Sequence, residues 1–114
     1  MLTEERPWGS FTVIEERGNY KIKSISVSPN NRTSLQYHQH RSEHATVVQG
    51  QARIELEGEC FTLNEGESYT VPVLAKHRIH NMSAMPLTII EVQFGNDLRE
   101  GDIVRVEDDY GRVD

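Results

Sequence analysis

Five residues able to hold a metal ion or move a proton crowd into nine positions: Gln36, His38, His40, Glu43 and His44. His77 and His80 follow about forty positions after Gln36. In an extended strand alternate side chains point the same way, so Gln36, His38 and His40 are expected to share one face of a barrel interior. A facing strand carrying His77 would complete a site of imidazole nitrogen and carboxylate oxygen. Such donors suit a borderline divalent ion, and three or four of them leave a position open for water or substrate. Zinc (Zn²⁺) is the leading candidate, with Co²⁺, Mn²⁺, Ni²⁺ and Fe²⁺ as alternatives. His-x-His on a strand is also common as a plain polar face, so the pair alone does not establish a metal.

The elements that must position these residues read as all-β. Short runs rich in β-branched and aromatic residues recur at Phe11–Glu15, Tyr20–Val27, His44–Gln49, Ala52–Leu56, Phe61–Leu63, Tyr69–Val71, His77–Met82 and Leu87–Phe94. Turn-forming residues separate them, notably Arg17-Gly18-Asn19, Pro29-Asn30-Asn31 and Asn64-Glu65-Gly66. Eight such strands predict a jelly-roll barrel. In the last run Glu91 and Gln93 alternate with Ile90, Val92 and Phe94, and alternation leaves open which row faces inward.

The 114 residues predict one domain over 1–114, with a charged tail from about 97 to 114 that either wraps the barrel or reaches a partner. No apolar run approaches the length that spans a bilayer as a helix, and Met1 to Arg6 is not a basic stretch leading into an apolar one. A cytoplasmic location is therefore expected, and no membrane partner. A single cysteine, Cys60, permits no internal disulfide and is expected as a small buried hydrophobe. The net charge of −6 argues against a nucleic-acid partner. Of that acidity, the stretch from Asp97 contributes −4, with seven acids against three arginines, so the rest has room for one basic pocket.

Gly66, Pro72, His77 and Asn81 stand at the spacings of the second motif of cupins, with Leu74 in place of its inner glycine. The first cupin motif, a glycine, HxH, a glutamate and a closing glycine, fits in two registers. Glu43 and Gly50 are correctly separated, but His38 and His40 lie too close to Glu43. Taking Gln36 and His38 as the pair satisfies every spacing, with Asn30 in the leading glycine's place. The preferred ligand set is thus Gln36, His38, Glu43 and His77, with His40 as competing ligand. The resemblance implies a cupin double-stranded β-helix.

A narrower resemblance covers Arg6 to Arg112. Its segments are Arg6-Pro7-Trp8-Gly9, Tyr20–Lys23, Ser34–His38, His40–His44, His77-Arg78-Ile79, Asp102–Arg105 and Asp109-Tyr110-Gly111-Arg112. Together they look like the cupin domain of type II phosphomannose isomerases, which often follows a guanylyltransferase domain. Two positions depart from that pattern: Ala45, where the family usually has tryptophan, expected to widen the pocket, and the altered turn at Asn81-Met82-Ser83.

The resemblance implies a metal-dependent isomerase interconverting mannose 6-phosphate and fructose 6-phosphate. A metal touching adjacent sugar oxygens would stabilise the enediolate formed as a proton moves between C1 and C2. His40 and His80 are the expected bases, with Lys23 and Glu91 as outsiders. Arg41, Arg78 and Arg112 are expected on the phosphate. The partners implied are a small-molecule sugar phosphate, a second copy in a homodimer, and a separately encoded nucleotidyltransferase. The rival readings are a non-catalytic sugar-phosphate-binding module and another small-molecule metal cupin enzyme.

Overall fold

The computed structural model describes residues 2–113. Among them eleven strands and no helix occur: β1 (Leu2–Arg6), β2 (Gly9–Glu16), β3 (Tyr20–Val27), β4 (Leu35–Tyr37), β5 (Arg41–Gln49), β6 (Ala52–Leu56), β7 (Glu59–Leu63), β8 (Ser68–Val71), β9 (His77–His80), β10 (Leu87–Gly95) and β11 (Val104–Glu107). They form a six-stranded sheet, β1-β2-β3-β10-β5-β8, and a five-stranded sheet, β11-β4-β9-β6-β7, antiparallel throughout. This is the jelly roll expected. The eight predicted strands are all present, and β1, β4 and β11 are additional. Leu-Thr-Glu-Glu-Arg in β1 has no apolar alternation, because it is an edge strand that buries little.

The three central strands of the large sheet explain where a site can form. β3 buries every second residue, Lys21, Lys23, Ile25 and Val27; β10 buries Leu87, Ile89, Glu91 and Gln93; β5 buries Arg41, Glu43, Ala45 and Val47. In register, Ile25, Ile89 and Val47 lie side by side, while Lys21, Gln93 and Glu43 form a parallel row four residues away. Each inner face therefore changes from apolar to polar partway along. One end of the barrel is a dry core that also takes Phe11, Ala52, Ile54, Val71, Ile79 and Leu87. The other end is lined by charge. A buried charge is tolerated only when paired, so this end must be a network of partners.

Backbone conformation at the turns follows the glycines of the motifs. Gly50 has φ +87, and a Cβ there would lie 2.5 Å from the Pro86 carbonyl oxygen, so only glycine fits. Asn30 and Leu74, in the places of two motif glycines, keep positive φ of 58 and 70. Asparagine tolerates that region; leucine is strained in it. The tail wraps the barrel: β11 pairs with β4, and the Tyr110 hydroxyl donates to Asn31 Oδ1 at 2.7 Å. Cys60 is exposed, not buried as expected, because it lies on the outward row of edge strand β7.

Candidate functional site

β4, β5 and β9 bring three donors together at the polar end. Ligand atoms of His38, Glu43 and His77 all lie within 4.8 Å of one another, and all three residues are buried. The His77 Nε2 is 3.3 Å from Glu43 Oε1, and His38 Nε2 is 3.4 Å from Glu43 Oε2. Gln36 is the register partner of His77 on the adjacent strand, so its side chain lies on the same face. Its Oε1 accepts from the Ser34 hydroxyl at 2.6 Å.

Both rings are oriented from behind. His38 Nδ1 faces the main-chain carbonyl of Asp102 at 2.6 Å, and His77 Nδ1 faces that of Ala75 at 3.0 Å. Each Nδ1 carries the proton it donates; His77 Nε2 shares a second proton with Glu43 Oε1, and loss of that proton leaves both Nε2 atoms as lone pairs beside the carboxylate. That tautomer and that backing are what an imidazole metal ligand needs. Two imidazoles, a carboxylate and an amide oxygen fit a borderline divalent ion.

The electrostatics follow from burial and pairing. Burial chiefly pushes His38 down to about 4, helped by Arg41 and His77. For Glu43, burial alone would raise the pKa, but the hydrogen bond from His77 and the charges of His38, His77 and Arg41 hold it well below the usual carboxylate range. His77 is raised, since Glu43 outweighs the opposing effect of burial. Arg41 Nε donates to Glu43 Oε2 at 3.0 Å, so the carboxylate stays ionised with a fixed neighbour.

The cluster borders a cavity lined by Gln36, Glu43 and His77 on one side and by Arg6, Lys23, Arg41 and Arg112 around it. Glu91 and Glu100 also line it. Glu91 faces inward, buried, and accepts from Gln93 Nε2 at 2.8 Å. Burial and the charge of Glu43 push it up to about 7, against Lys23 and Arg41. Glu100 pairs with Lys23 at 2.9 Å and Lys21 at 3.2 Å. Sequence reasoning missed Glu100 and Arg6; with the tail's path unknown, nothing marked Glu100 as close to two lysines.

Several expected site residues lie elsewhere. His40 is neither in the donor cluster nor in the cavity; its side chain is 55% exposed and its Nδ1 sits 3.2 Å from Asp102 Oδ1. β4 ends at Tyr37 because the Asp102 carboxylate captures the amides of Gln39 and His40 at 3.0 and 2.9 Å, and the alternation stops there. His80 and Arg78 alternate with His77 and Ile79 and so face the outside of the small sheet, away from the cavity. Lys23 is in the cavity, but its amine is held by Glu100 and lies 3.8 Å over the Phe11 ring. Arg112 lines the cavity with its guanidinium forked onto Asp108 at 2.8 and 2.9 Å. Ala45 is buried in register with Glu91 and does not line the cavity, so it does not widen it as expected.

Comparison with known proteins agrees with this geometry. The family described as mannose-6-phosphate isomerase C-terminal matches residues 2–108. The chain is 46% identical over 108 residues to the alginate biosynthesis protein AlgA of Pseudomonas aeruginosa and 45% identical to the mannose-1-phosphate guanylyltransferase ManC of Salmonella typhimurium. Each match covers 95% of this chain and 22% of the relative, so the chain spans about a fifth of their length. Among solved structures, KdgF from Halomonas sp. superposes with a TM-score of 0.76 at 18% identity, covering 89% of this chain and 90% of that one, which establishes the shared fold. A barrel with a buried His-Glu-His cluster at its polar end, matched over nearly its whole length, belongs to the cupin-fold family of mannose-6-phosphate isomerase C-terminal domains.

Proposed function

We propose that this chain is an isomerase interconverting mannose 6-phosphate and fructose 6-phosphate with a divalent ion at His38, Glu43, His77 and Gln36. The observation that carries the reading is that one cavity joins this donor cluster to a rim of basic groups, Arg6, Lys23, Arg41 and Arg112. A sugar phosphate has the same two ends: oxygens for a metal and a dianion for guanidinium and ammonium groups. A bound ion, zinc by its donor set, would act as a Lewis acid on the sugar oxygens at C1 and C2. The chain's own residues supply the rest. Glu91, poised near neutrality in the same cavity, accepts the proton from one carbon and returns it to the neighbouring one. Burial of Glu91 and Gln93 keeps water from competing for that proton. His40 and His80 have no part in this step, because neither reaches the cavity.

In the same reading the domain works in the cytoplasm as a homodimer paired through an edge strand, beside a separate nucleotidyltransferase. One observation favours a non-catalytic binding module instead: Arg41 bonds Glu43 and lies 3.3 Å from His38 Nε2, placing positive charge among the donors. The deciding experiment incubates the protein with mannose 6-phosphate and each of Zn²⁺, Co²⁺, Mn²⁺ and Ni²⁺ and follows fructose 6-phosphate. Turnover abolished by Glu91→Gln supports the isomerase. Sugar-phosphate binding without turnover under every metal leaves the binding module.

A further inference from the structure

β9 shows only half of its side chains to the cavity. From the opposite face of the small sheet, Arg78 and His80 line a second hollow with Arg32, Arg53, Glu55 and Cys60. Strand register builds it: Arg53 lies opposite His80 and Glu55 opposite Arg78 on β6, while Arg32 is bridged to His80 from the other side. Three guanidinium groups and an imidazole thus converge outside the barrel.

The pairing of these groups is uneven. Arg32 is forked onto Asp109 at 2.7 and 2.8 Å. Arg78 is 4% exposed; its Nε donates to the Thr33 carbonyl at 3.1 Å and its Nη1 lies 3.5 Å from Glu107. Its Nη2 is buried with no hydrogen-bond partner. Arg53 is exposed and has no carboxylate partner among the described residues, and Glu55 forms no ion pair with its register neighbour Arg78. His80 is held below its ordinary value by burial and by Arg32, Arg78 and Arg53, against Asp109, so the local field is positive. A buried charged donor left unmade is costly, and a second guanidinium beside it gives the fork that recognises oxyanions.

We propose that this hollow is a second anion site, outside the barrel, taking a phosphoryl group on Arg78 and Arg53 with Arg32 and His80 at its edge. It is separate from the cavity because β9 stands between them, His77 on one face and Arg78 on the other. The phosphoryl group belongs either to free phosphate or to a phosphate monoester. Glu55 opposes binding and limits affinity.

The test is a titration of the full, isotope-labelled chain with inorganic phosphate and with glycerol 3-phosphate at constant ionic strength, read by NMR at Arg78 Nε and the His80 ring. Saturable shifts are expected at both. Arg53→Glu, an exposed change that leaves the fold intact, should weaken binding about tenfold or more, and Glu55→Gln should tighten it. Response to both probes assigns the site to the phosphoryl group itself; response to glycerol 3-phosphate alone assigns it to monoesters. Absence of saturation with both, shifts equal to those produced by chloride, shifts confined to Arg41 and Lys23, or indifference to Arg53→Glu would overturn the proposal.

Discussion

Replacing Asp102 by asparagine should cost both stability and metal affinity, through bonds that are few and countable. The carboxylate accepts the Gln39 amide at 3.0 Å and the His40 amide at 2.9 Å, and its side chain is 3% exposed. Burial alone would raise its pKa, but these amides and His40 hold it below the usual range. Its contribution is therefore present above the unfolded value and is lost as pH falls through the folded one. A hydrogen bond to a charged acceptor contributes about 1.5–3 kcal/mol. Asparagine keeps one acceptor oxygen but turns an NH₂ toward the other amide, so one bond is lost and the survivor is weakened. The expected loss is about 3 kcal/mol, which for a chain of this size lowers Tm by about 12 °C. The carbonyl of the same residue orients His38 at 2.6 Å, so loosening the segment should also weaken zinc binding about tenfold. Calorimetry and a competitive zinc titration measure the two effects, with exposed Glu59→Gln as control. A Tm shift under about 3 °C together with unchanged zinc affinity would refute the assignment of Asp102 as the tether of the donor cluster.

Three further outcomes follow from the same geometry. His77→Ala should abolish stoichiometric zinc binding while His40→Ala leaves it intact, as read by metal analysis after dialysis; equal loss in both would put His40 back among the ligands. Leu74→Gly should stabilise the protein by about 1 kcal/mol in denaturant melts, because Leu74 is 58% exposed with φ +70 and little packing is given up. Glu91, with a folded pKa of about 7 raised above its unfolded value, keeps its proton in the native state while the unfolded chain releases it. Stability of the metal-free protein should therefore fall on the order of 3 kcal/mol as pH rises from about 4.5 to 7. Glu91→Gln should remove that slope, and a slope unchanged in the variant would assign it to another group.

Much of the fold was legible because period-two alternation and turn residues are local. Tyr20–Val27 and Ala52–Leu56 were read with the bounds the structure shows. The limits of that reading are physical. In β10 both rows are candidates for the interior, and burial preference would choose Ile90, Val92 and Phe94; the barrel instead buries Glu91 and Gln93, because its polar end holds their partners. Alternation holds only while a strand continues, and His40 fell outside it because a carboxylate sixty-two positions away ends β4. Arg78 is different: alternation itself places it opposite His77, and nearness in sequence to an expected ligand was the misleading signal. The spacing of Gln36 and His38 back from Gly50 is local and so readable, and Asn30, in the leading glycine's place of that register, keeps the backbone of a glycine.

The tail's path also dictates when this molecule can acquire its site. His38 and Asp102 are 64 positions apart, Lys23 and Glu100 are 77 apart, and Asn31 and Tyr110 are 79 apart. Contacts of such separation require closing long loops before any stabilisation offsets the lost chain entropy, which makes them late and slow to form. On the ribosome, His38 has no acceptor for its Nδ1 proton until Asp102 has been synthesised and has emerged. Ile25 and Ile89 of the apolar core are also 64 positions apart, so the core closes loops of similar length, and the donor cluster is complete only once the segment leading into β11 has docked. An ion entering there is expected to stabilise a finished domain rather than to template its folding.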